Sequence, residues 1–344
     1  MNTALQAQPD APPPHVQVIQ MATGLWVSKM MYAAAKLKLA DHLTDGPKTA
    51  EELAGPTGSH APSLNRLMRT LASVGVFSQL DGGRFGLTPL SEALKKGAPG
   101  AAHETVLTMA GPTFVAAFEE IVHSIETGKT GFEKAFGMPI FDYFAQHQDE
   151  ASLFSQSMVG IHGGEPPAVA AAYDFSQFGT IVDVGGATGN MLSAVLSIHE
   201  GPGGILYDLP HVVTDAPASL EKSGVADRVT IEHGSFFEGV PSGGDAYILS
   251  HIIHDWNEEQ CLTILGNVRR AMNPQGKLLI VEFVLPEDDS AHFGKIADII
   301  MLVVPGGQER TPTEYDELLA KVGFKMTRVV PTESPVSIVE AVIA

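Results

Sequence analysis

The stretch from Thr180 to Asn190, TIVDVGGATGN, constrains this chain more than any other. A short apolar run, Ile181 and Val182, reaches Asp183 and then breaks into glycine at Gly185, Gly186 and Gly189. Asn190 is expected to cap a helix running through Met191, Leu192, Val195, Leu196 and Ile198. A strand, a glycine turn and a helix start form a nucleotide-binding crevice. Glycine lets the backbone approach a ligand closely, and the helix start offers unpaired N–H groups. The spacing is D-x-G-x-A-x-G, with Ala187 at the middle glycine position, so it is not the G-x-G-x-x-G dinucleotide fingerprint. Taken alone, the stretch also reads as an ordinary β–α turn.

Length and charge narrow the rest. A chain of 344 residues exceeds what one core usually fills, so two domains are expected. The formal net charge of −19 disfavours phosphate backbones and anionic membranes as partners. The one cysteine, Cys261, excludes an intramolecular disulfide and fits a reducing cytoplasm. It lies among Leu262, Leu265 and Val268 at helical spacing and reads as core. Residues 1–15 are polar, end in Pro12-Pro13-Pro14 and read as a disordered tail without the features of a signal peptide. No apolar run approaches the ~20 residues of a membrane span.

Residues 16–100 form one expected domain. Leu25 to Leu43 is an amphipathic helical stretch, and Thr49 with Glu52 makes a capping box for a short helix. A second helix, Ser63 to Val74, carries Leu64, Leu67, Met68 and Leu71 on one face. Phe77 to Leu80 and Arg84 to Leu87 then flank Asp81-Gly82-Gly83 as a hairpin. Helix, helix, hairpin is a winged-helix pattern. Asn65, Arg66 and Arg69 offer a DNA-binding reading, but so few basic residues in an acidic chain favour a dimerisation or packing module. Residues 101–165 are helical and rich in aromatics and methionine, suited to core and to an apolar lid or connector. Gly163-Gly164-Glu165-Pro166-Pro167 reads as a hinge before a third region, 166–344.

In that third region strands and helices alternate, which implies a doubly wound parallel sheet. Strands are expected near 180–184, 204–208, 229–233, 245–250, 277–282, 325–330 and 337–343, and helices over Asn257 to Met272 and Thr313 to Val322, the latter capped by Thr313. Ligands bind such sheets at the carboxyl ends of the strands. The candidate residues there are Asp183, Asp208, Ser235, Phe236, Ser250 to Asp255, and Glu282. Asp208, 23 residues beyond Gly185, suits the ribose hydroxyls of an adenosine, though it equally suits a helix cap before Pro210. Phe236 offers a face for adenine. In Ser250-His-Ile-Ile-His-Asp-Trp256, His254 is a candidate general base, with Glu282 or Glu309 placed to hold its ring. His251, His254 and Asp255 contain metal-ligating atoms, but they flank a strand-to-helix turn and no cluster completes a shell, so no metal is assigned.

Six stretches in order carry a resemblance: Val182-Asp-Val-Gly-Gly-Ala-Thr-Gly189, Tyr207-Asp-Leu-Pro-His-Val212, Gly234-Ser-Phe-Phe237, His254-Asp-Trp256, Val281-Glu-Phe-Val-Leu-Pro286 and Pro305-Gly-Gly-Gln-Glu-Arg-Thr311. Through them the chain resembles the S-adenosylmethionine-dependent O-methyltransferases of the caffeate and acetylserotonin type, in their bacterial small-molecule branch. The resemblance implies a Rossmann-like seven-stranded methyltransferase sheet behind an N-terminal, mainly helical winged-helix dimerisation domain, and a homodimer. It implies S-adenosylmethionine as cofactor, with S-adenosylhomocysteine as product. Asp183, Gly185, Gly189, Asp208, Leu209, Ser235, Phe236 and Ser250 would hold it. His254 would be the base, flanked by Glu282 and Glu309, with Asp255 beside the base and the cofactor. Phe154, Met158 and Met301 would line the acceptor pocket. Ser235 stands where many relatives carry Asp, and Ser250 where plant members carry Lys, so those cofactor contacts are expected to differ.

The implied reaction is methyl transfer to a hydroxyl of an aromatic or polyketide-like small molecule, without metal, nucleic acid or membrane. Two other readings remain. One is a relative that binds the same cofactor without methylating, such as a hydroxylase, decarboxylase or pericyclase. The other is a winged-helix regulator.

Overall fold

The computed structural model describes residues 12–344, which divide into two compact units. One unit runs to Val115 and includes His147–Ile161; the other comprises Ala116–Gln146 and His162–Ala344. The helical stretch 101–165 is thus shared between them. Residues 1–11 of the expected tail lie outside the described residues, and Pro14 already opens a helix.

In the first unit, helix α1 (Pro14–Lys36) begins with proline at its first position, where the missing N–H costs nothing. Its C-terminal Ala34 and Ala35 are buried, whereas Val18, Met21, Leu25 and Trp26 are exposed. Strand β1 (Lys48–Thr49) leads into α2 (Ala50–Thr57). The expected capping box forms: the Glu52 amide donates to Thr49 Oγ1, and the Thr49 amide donates to Glu52 Oε2. Helix α3 (Ala61–Ser73) buries Leu64, Met68 and Leu71, one face at helical spacing. Strands β2 (Phe77–Leu80) and β3 (Arg84–Leu87) pair antiparallel, with β1 on the free side of β3. Gly82 and Gly83, at φ 72° and 70°, make the turn in a region that disfavours side chains. Leu39, Leu43, Leu53, Phe77 and Phe85 join the α3 face in one core. Helix α4 (Gln148–His162) returns the chain to this unit.

The second unit is built on a seven-stranded sheet of β4 (Thr180–Val184), β5 (Gly203–Asp208), β6 (Val229–His233), β7 (Ala246–Ser250), β8 (Lys277–Glu282), β9 (Phe324–Pro331) and β10 (Ser337–Ile343). The order is β6-β5-β4-β7-β8-β10-β9. The first five strands are parallel, as expected. The last two strands depart from the parallel run, because β10 runs antiparallel to both β8 and β9. Only five residues separate β9 from β10, and a link that short joins antiparallel neighbours; a parallel pair needs a crossover of about a dozen.

The central strands are apolar on both faces and alternate between two cores. Ile181, Ile248, Leu279 and Val281 face one side; Val182, Val184, Tyr247, Leu249, Leu278 and Ile280 face the other. Helices α5 (Glu165–Ala172), α6 (Asn190–Ile198), α7 (Glu258–Ala271), α8 (Phe293–Val303) and α9 (Pro312–Lys321) complete the parts that matter here. Cys261, on α7, is buried core as expected, and burial pushes its thiol up to about 11.

Two caps differ from expectation. Gly189, at φ 81°, caps α6 without a side-chain bond, leaving Asn190 as the first helical residue. The chain arrives there in the left-handed region, which glycine adopts without strain. Thr311 rather than Thr313 caps α9, in a capping box with Glu314, because Pro312 already sits in the first turn. Among the described residues, no single helix is long and apolar enough to cross a membrane; a bent pair, Ala102–Glu119 with Ile121–Thr127, passes by length and composition only.

Candidate active site

The strand order reverses between β4 and β7, and their carboxyl ends open the crevice that α/β sheets use for ligands. On the β4 side the loop Gly185–Gly189 turns tightly. The Gly185 amide donates to the carbonyl of Tyr207 at 2.7 Å. A Cβ on Gly185 would lie 2.3 Å from the Ile252 side chain, and one on Gly186 would lie 2.6 Å from the Asp183 carboxylate. Both positions therefore admit only glycine without rearrangement. Ala187 carries φ 48°, a left-handed conformation that costs a non-glycine residue roughly 1–2 kcal/mol. Its amide donates to Asp208 Oδ2 at 3.0 Å, while Oδ1 accepts from the Leu209 amide at 2.7 Å. A carboxylate has about four lone-pair sites, so Asp208 can accept further bonds. Burial raises its pKa above the ordinary carboxylate value.

Asp183 is buried, and neither of its oxygens has a hydrogen-bond partner. Burial, reinforced by the Asp208 charge, pushes it up to about 7; the Leu192 amide opposes this from outside hydrogen-bond geometry. Phe236 is half-buried, with its ring edge-on to Phe237 and Trp256 at centroid distances of 4.9 and 6.0 Å. Leu209 is 38% exposed at the lip. Ser235 and Ser250 are partly buried, and Ser235 Oγ accepts from the Phe237 amide.

Beyond β7 the chain makes a single 3-10 turn, Ile253–Asp255, that buries His254. The turn is held by a carboxylate: Glu282 Oε1 accepts the amides of Ile252 and His254, both at 3.1 Å, and Oε2 accepts the hydroxyl of Tyr315. Glu282 was expected to be able to hold the imidazole. It holds the backbone beneath it instead, because it ends the adjacent strand below the turn. The ring itself is held by Glu309, with His254 Nδ1 2.8 Å from Oε1. The other ring nitrogen, Nε2, lies 3.7 Å from Asp255 Oδ1, beyond hydrogen-bonding distance.

Glu309 arrives on the loop Gly306–Arg310. The Gln308 amide donates to the carbonyl of His254 at 2.8 Å, and the Glu309 amide donates to Asp298 at 2.9 Å. The amides of Gly306 and Gly307 both donate to the carbonyl of Met301, on α8. A Cβ on Gly307 would lie 1.8 Å from the His254 carbonyl, so the loop reaches the turn only through glycine.

Burial alone would hold the His254 imidazole below its usual value. The carboxylates of Asp255, Glu309 and Glu282 outweigh it and raise the pKa well above the ordinary histidine range. Asp255 and Glu309 are themselves raised by burial, and the His254 charge opposes each shift.

The residues singled out as catalytic, His254, Asp255, Glu282 and Glu309, therefore sit together, and Asp183, Gly185, Gly189, Asp208 and Phe236 gather around the neighbouring strand end. The three residues expected to line the acceptor pocket do not share a unit: Phe154 and Met158 lie on α4 of the first, Met301 on α8 of the second. Four residues that matter here escaped the sequence reading. Gly307 and Asp298 position Glu309, Tyr315 satisfies Glu282, and Arg310, buried and donating to the carbonyls of Gln308 and Ile253, pins the loop. Only the glycine-rich P-G-G-Q-E-R run signalled any of them.

Comparisons with known proteins agree with this layout. The description of an O-methyltransferase domain matches residues 118–325, and that of an O-methyltransferase dimerisation domain matches residues 19–97. A phenazine O-methyltransferase of Lysobacter antibioticus is 46% identical over 324 residues, 94% of this chain and 95% of that protein. A phenazine-1-carboxylate N-methyltransferase of Pseudomonas aeruginosa is 31% identical, over 91% of this chain and 92% of that protein. An O-methyltransferase of neocarzinostatin biosynthesis, solved with S-adenosylmethionine and 2-hydroxy-5-methyl naphthoic acid, superposes with a TM-score of 0.82 at 33% identity, covering 92% of this chain and 96% of that one. The chain belongs to the S-adenosylmethionine-dependent O-methyltransferase family, with the family's dimerisation domain at its N-terminal end, and is a methyltransferase.

Proposed function

We propose that this protein transfers a methyl group from S-adenosylmethionine to a hydroxyl of an aromatic small molecule, with His254 as general base. The observation that carries the reading is the His254–Glu309 pair: a buried imidazole fixed through Nδ1 at 2.8 Å, with Nε2 unclaimed, at the ligand edge of the sheet.

The residues fit the cofactor. Gly185 and Gly186 form a cradle that a side chain would fill, Asp183 is an unpartnered buried carboxylate, and Asp208 retains acceptor capacity for ribose hydroxyls. Phe236 would cover the adenine. Bound S-adenosylmethionine supplies a methyl group on a good leaving group, so the protein's work is positioning and proton removal. Glu309 holds the ring with Nδ1–H donating, which leaves the Nε2 lone pair to take the proton of the acceptor hydroxyl. The resulting imidazolium is stabilised by Glu309 and Asp255. Holding the attacking oxygen in line contributes most, since effective molarities reach ~10⁵–10⁸ M in well-oriented systems.

Purified protein is to be given S-adenosylmethionine and a panel of phenolic and polyketide-like hydroxyl compounds. Product S-adenosylhomocysteine in step with an O-methylated compound supports the reading; S-adenosylhomocysteine with no methylated product, or none under any acceptor, contradicts it. A second reading, methylation of nitrogen, draws on the N-methyltransferase among the relatives. An aromatic ring nitrogen with a free lone pair needs no base, so His254→Gln would leave that activity largely intact.

The protein is further read as a homodimer through residues 16–100. Val18, Met21, Leu25 and Trp26 are 56–81% exposed on α1, an apolar face that isolated soluble chains seldom leave open. Light scattering at micromolar concentration should give twice the chain mass, and a monomer would overturn it.

A further inference from the structure

Beside the His254 turn lies a second cluster that the methyl-transfer reading does not use. His162 ends α4, Glu165 begins α5, and His251 follows β7 directly. His162 Nδ1 is 3.1 Å from Glu165 Oε1, and His251 Nε2 is 2.6 Å from Glu165 Oε2. The two imidazoles meet over the carboxylate with ring centroids 3.9 Å apart, and the three ligand atoms lie within 4.8 Å of one another. His251 also carries φ 53°, a conformation a side chain adopts only when its surroundings impose it.

We infer that His162, Glu165 and His251 form a binding site for a divalent transition metal of the zinc class. Two imidazoles and one carboxylate suit zinc, cobalt or iron rather than magnesium or calcium, which take oxygen ligands. Ligand atoms around a tetrahedral zinc stand ~3.4 Å apart, given Zn–N and Zn–O bonds of about 2.1 Å. The two observed contacts, 3.1 and 2.6 Å, would widen by about 0.3 and 0.8 Å, and two of the three metal bonds would replace existing N–H···O bonds. Side-chain exposures of 23% at His162 and 14% at His251 leave a path for the ion and for a fourth, water ligand. This trio differs from the His251, His254 and Asp255 set weighed on sequence. It excludes His254, whose Nδ1 is committed to Glu309.

Such a metal would join the carboxyl end of β7 to both sides of Gly163-Gly164, two exposed glycines where the chain re-enters the second unit. It would fix the Gly163-Gly164 segment against the sheet within the second unit. The site stands apart from the methyl-transfer reading, since occupancy is read without an acceptor or turnover.

The test uses the full chain, free of any histidine tag and dialysed against chelator. Titration with ZnCl₂ by calorimetry should give one equivalent per chain. Glu165→Gln and His162→Ala should each weaken it by at least about tenfold, while His254→Gln leaves it unchanged. Circular dichroism confirms that each variant is folded. On wild-type protein alone, Co²⁺ should give the intense visible bands of a four-coordinate site, and Zn²⁺ should slow proteolysis at Gly163-Gly164. Substoichiometric binding, affinity unaltered in both ligand variants, loss in His254→Gln, or only the weak octahedral Co²⁺ spectrum would each overturn the proposal.

Discussion

Two clusters of buried charge lie on the same sheet, and they are built in opposite ways. Around Glu340, on β10, the books balance. Tyr173, Thr327, Lys277 and Arg328 all donate to its carboxylate, two of them cationic. Around His254, one imidazole faces Asp255, Glu282 and Glu309, and Glu309 Oε2 has no hydrogen-bond partner. Asp183, one strand away, has none for either oxygen. A structural cluster satisfies every acceptor because an unmet buried group costs about 1–3 kcal/mol. A site that must receive a ligand keeps acceptors in reserve. Surplus buried acid, rather than buried charge as such, separates the two.

The largest expected effect breaks the contrast at its centre. His254→Gln should cut kcat by about 10²-fold or more while cofactor affinity stays near normal, since a positioned base contributes roughly 10²–10⁴-fold. Glu340→Gln should leave kcat within about twofold. Steady-state kinetics and calorimetry on both variants decide it; equal losses would erase the distinction.

Glu309→Gln keeps the shape of the pair and removes its charge. It should lower kcat by about 10- to 10²-fold through lost orientation. It should also move the acid limb of kcat/KM to lower pH. In the wild type, carboxylates raise the His254 pKa, and only the neutral ring accepts a proton, so activity should fall off below a pH well above the ordinary histidine value of 6.5. A wild-type limb at or below that value would mean His254 is not the titrating base.

Asp208→Ala should weaken cofactor binding about 10- to 100-fold by calorimetry, the loss of about 1.5–3 kcal/mol from hydrogen bonding to a charged acceptor. Unchanged affinity would remove Asp208 from the cofactor site.

The smallest effect falls on the balanced cluster. Glu340→Gln should lower Tm by about 2–6 °C. Although burial opposes it, hydrogen bonds from Thr327, Tyr173, Arg328 and Lys277 hold the Glu340 carboxyl at about 2, below its ordinary 4.5. A depressed acid stabilises the fold above its unfolded pKa and loses that contribution as pH falls through the folded one. Wild type should therefore lose stability between pH 4.5 and 2 more steeply than Glu340→Gln, measured by thermal melts.

Much of the molecule was legible in local signals. All seven strands of the large sheet lie within a residue or so of expectation, because the central ones are short apolar runs bounded by polar or glycine breaks and the edge strands β6 and β9 mix apolar with polar residues. The hairpin from Phe77 to Leu87 was readable for the same reason, and the motif order led to the family. The two misplaced caps arose where candidate residues stood one or two positions apart and the backbone conformation decided between them.

The sequence by itself determined which strand ends gather ionisable residues: Asp208 and Glu282 end their strands, Asp183 stands one residue before the end of β4, and His254 lies in the turn just past β7, and strand ends are set by nearest neighbours. It could not determine which carboxylate takes the imidazole. Glu282 and Glu309 stand 28 and 55 residues from His254, and spacing favours neither. Strand pairing decided it. Lying on the strand beside β7 puts Glu282 under the turn, within reach of backbone amides, and a glycine loop anchored on Met301 brings Glu309 to the ring. The same holds for His162 and Glu165, which meet His251 from 89 and 86 residues away, a distance only the folded chain closes.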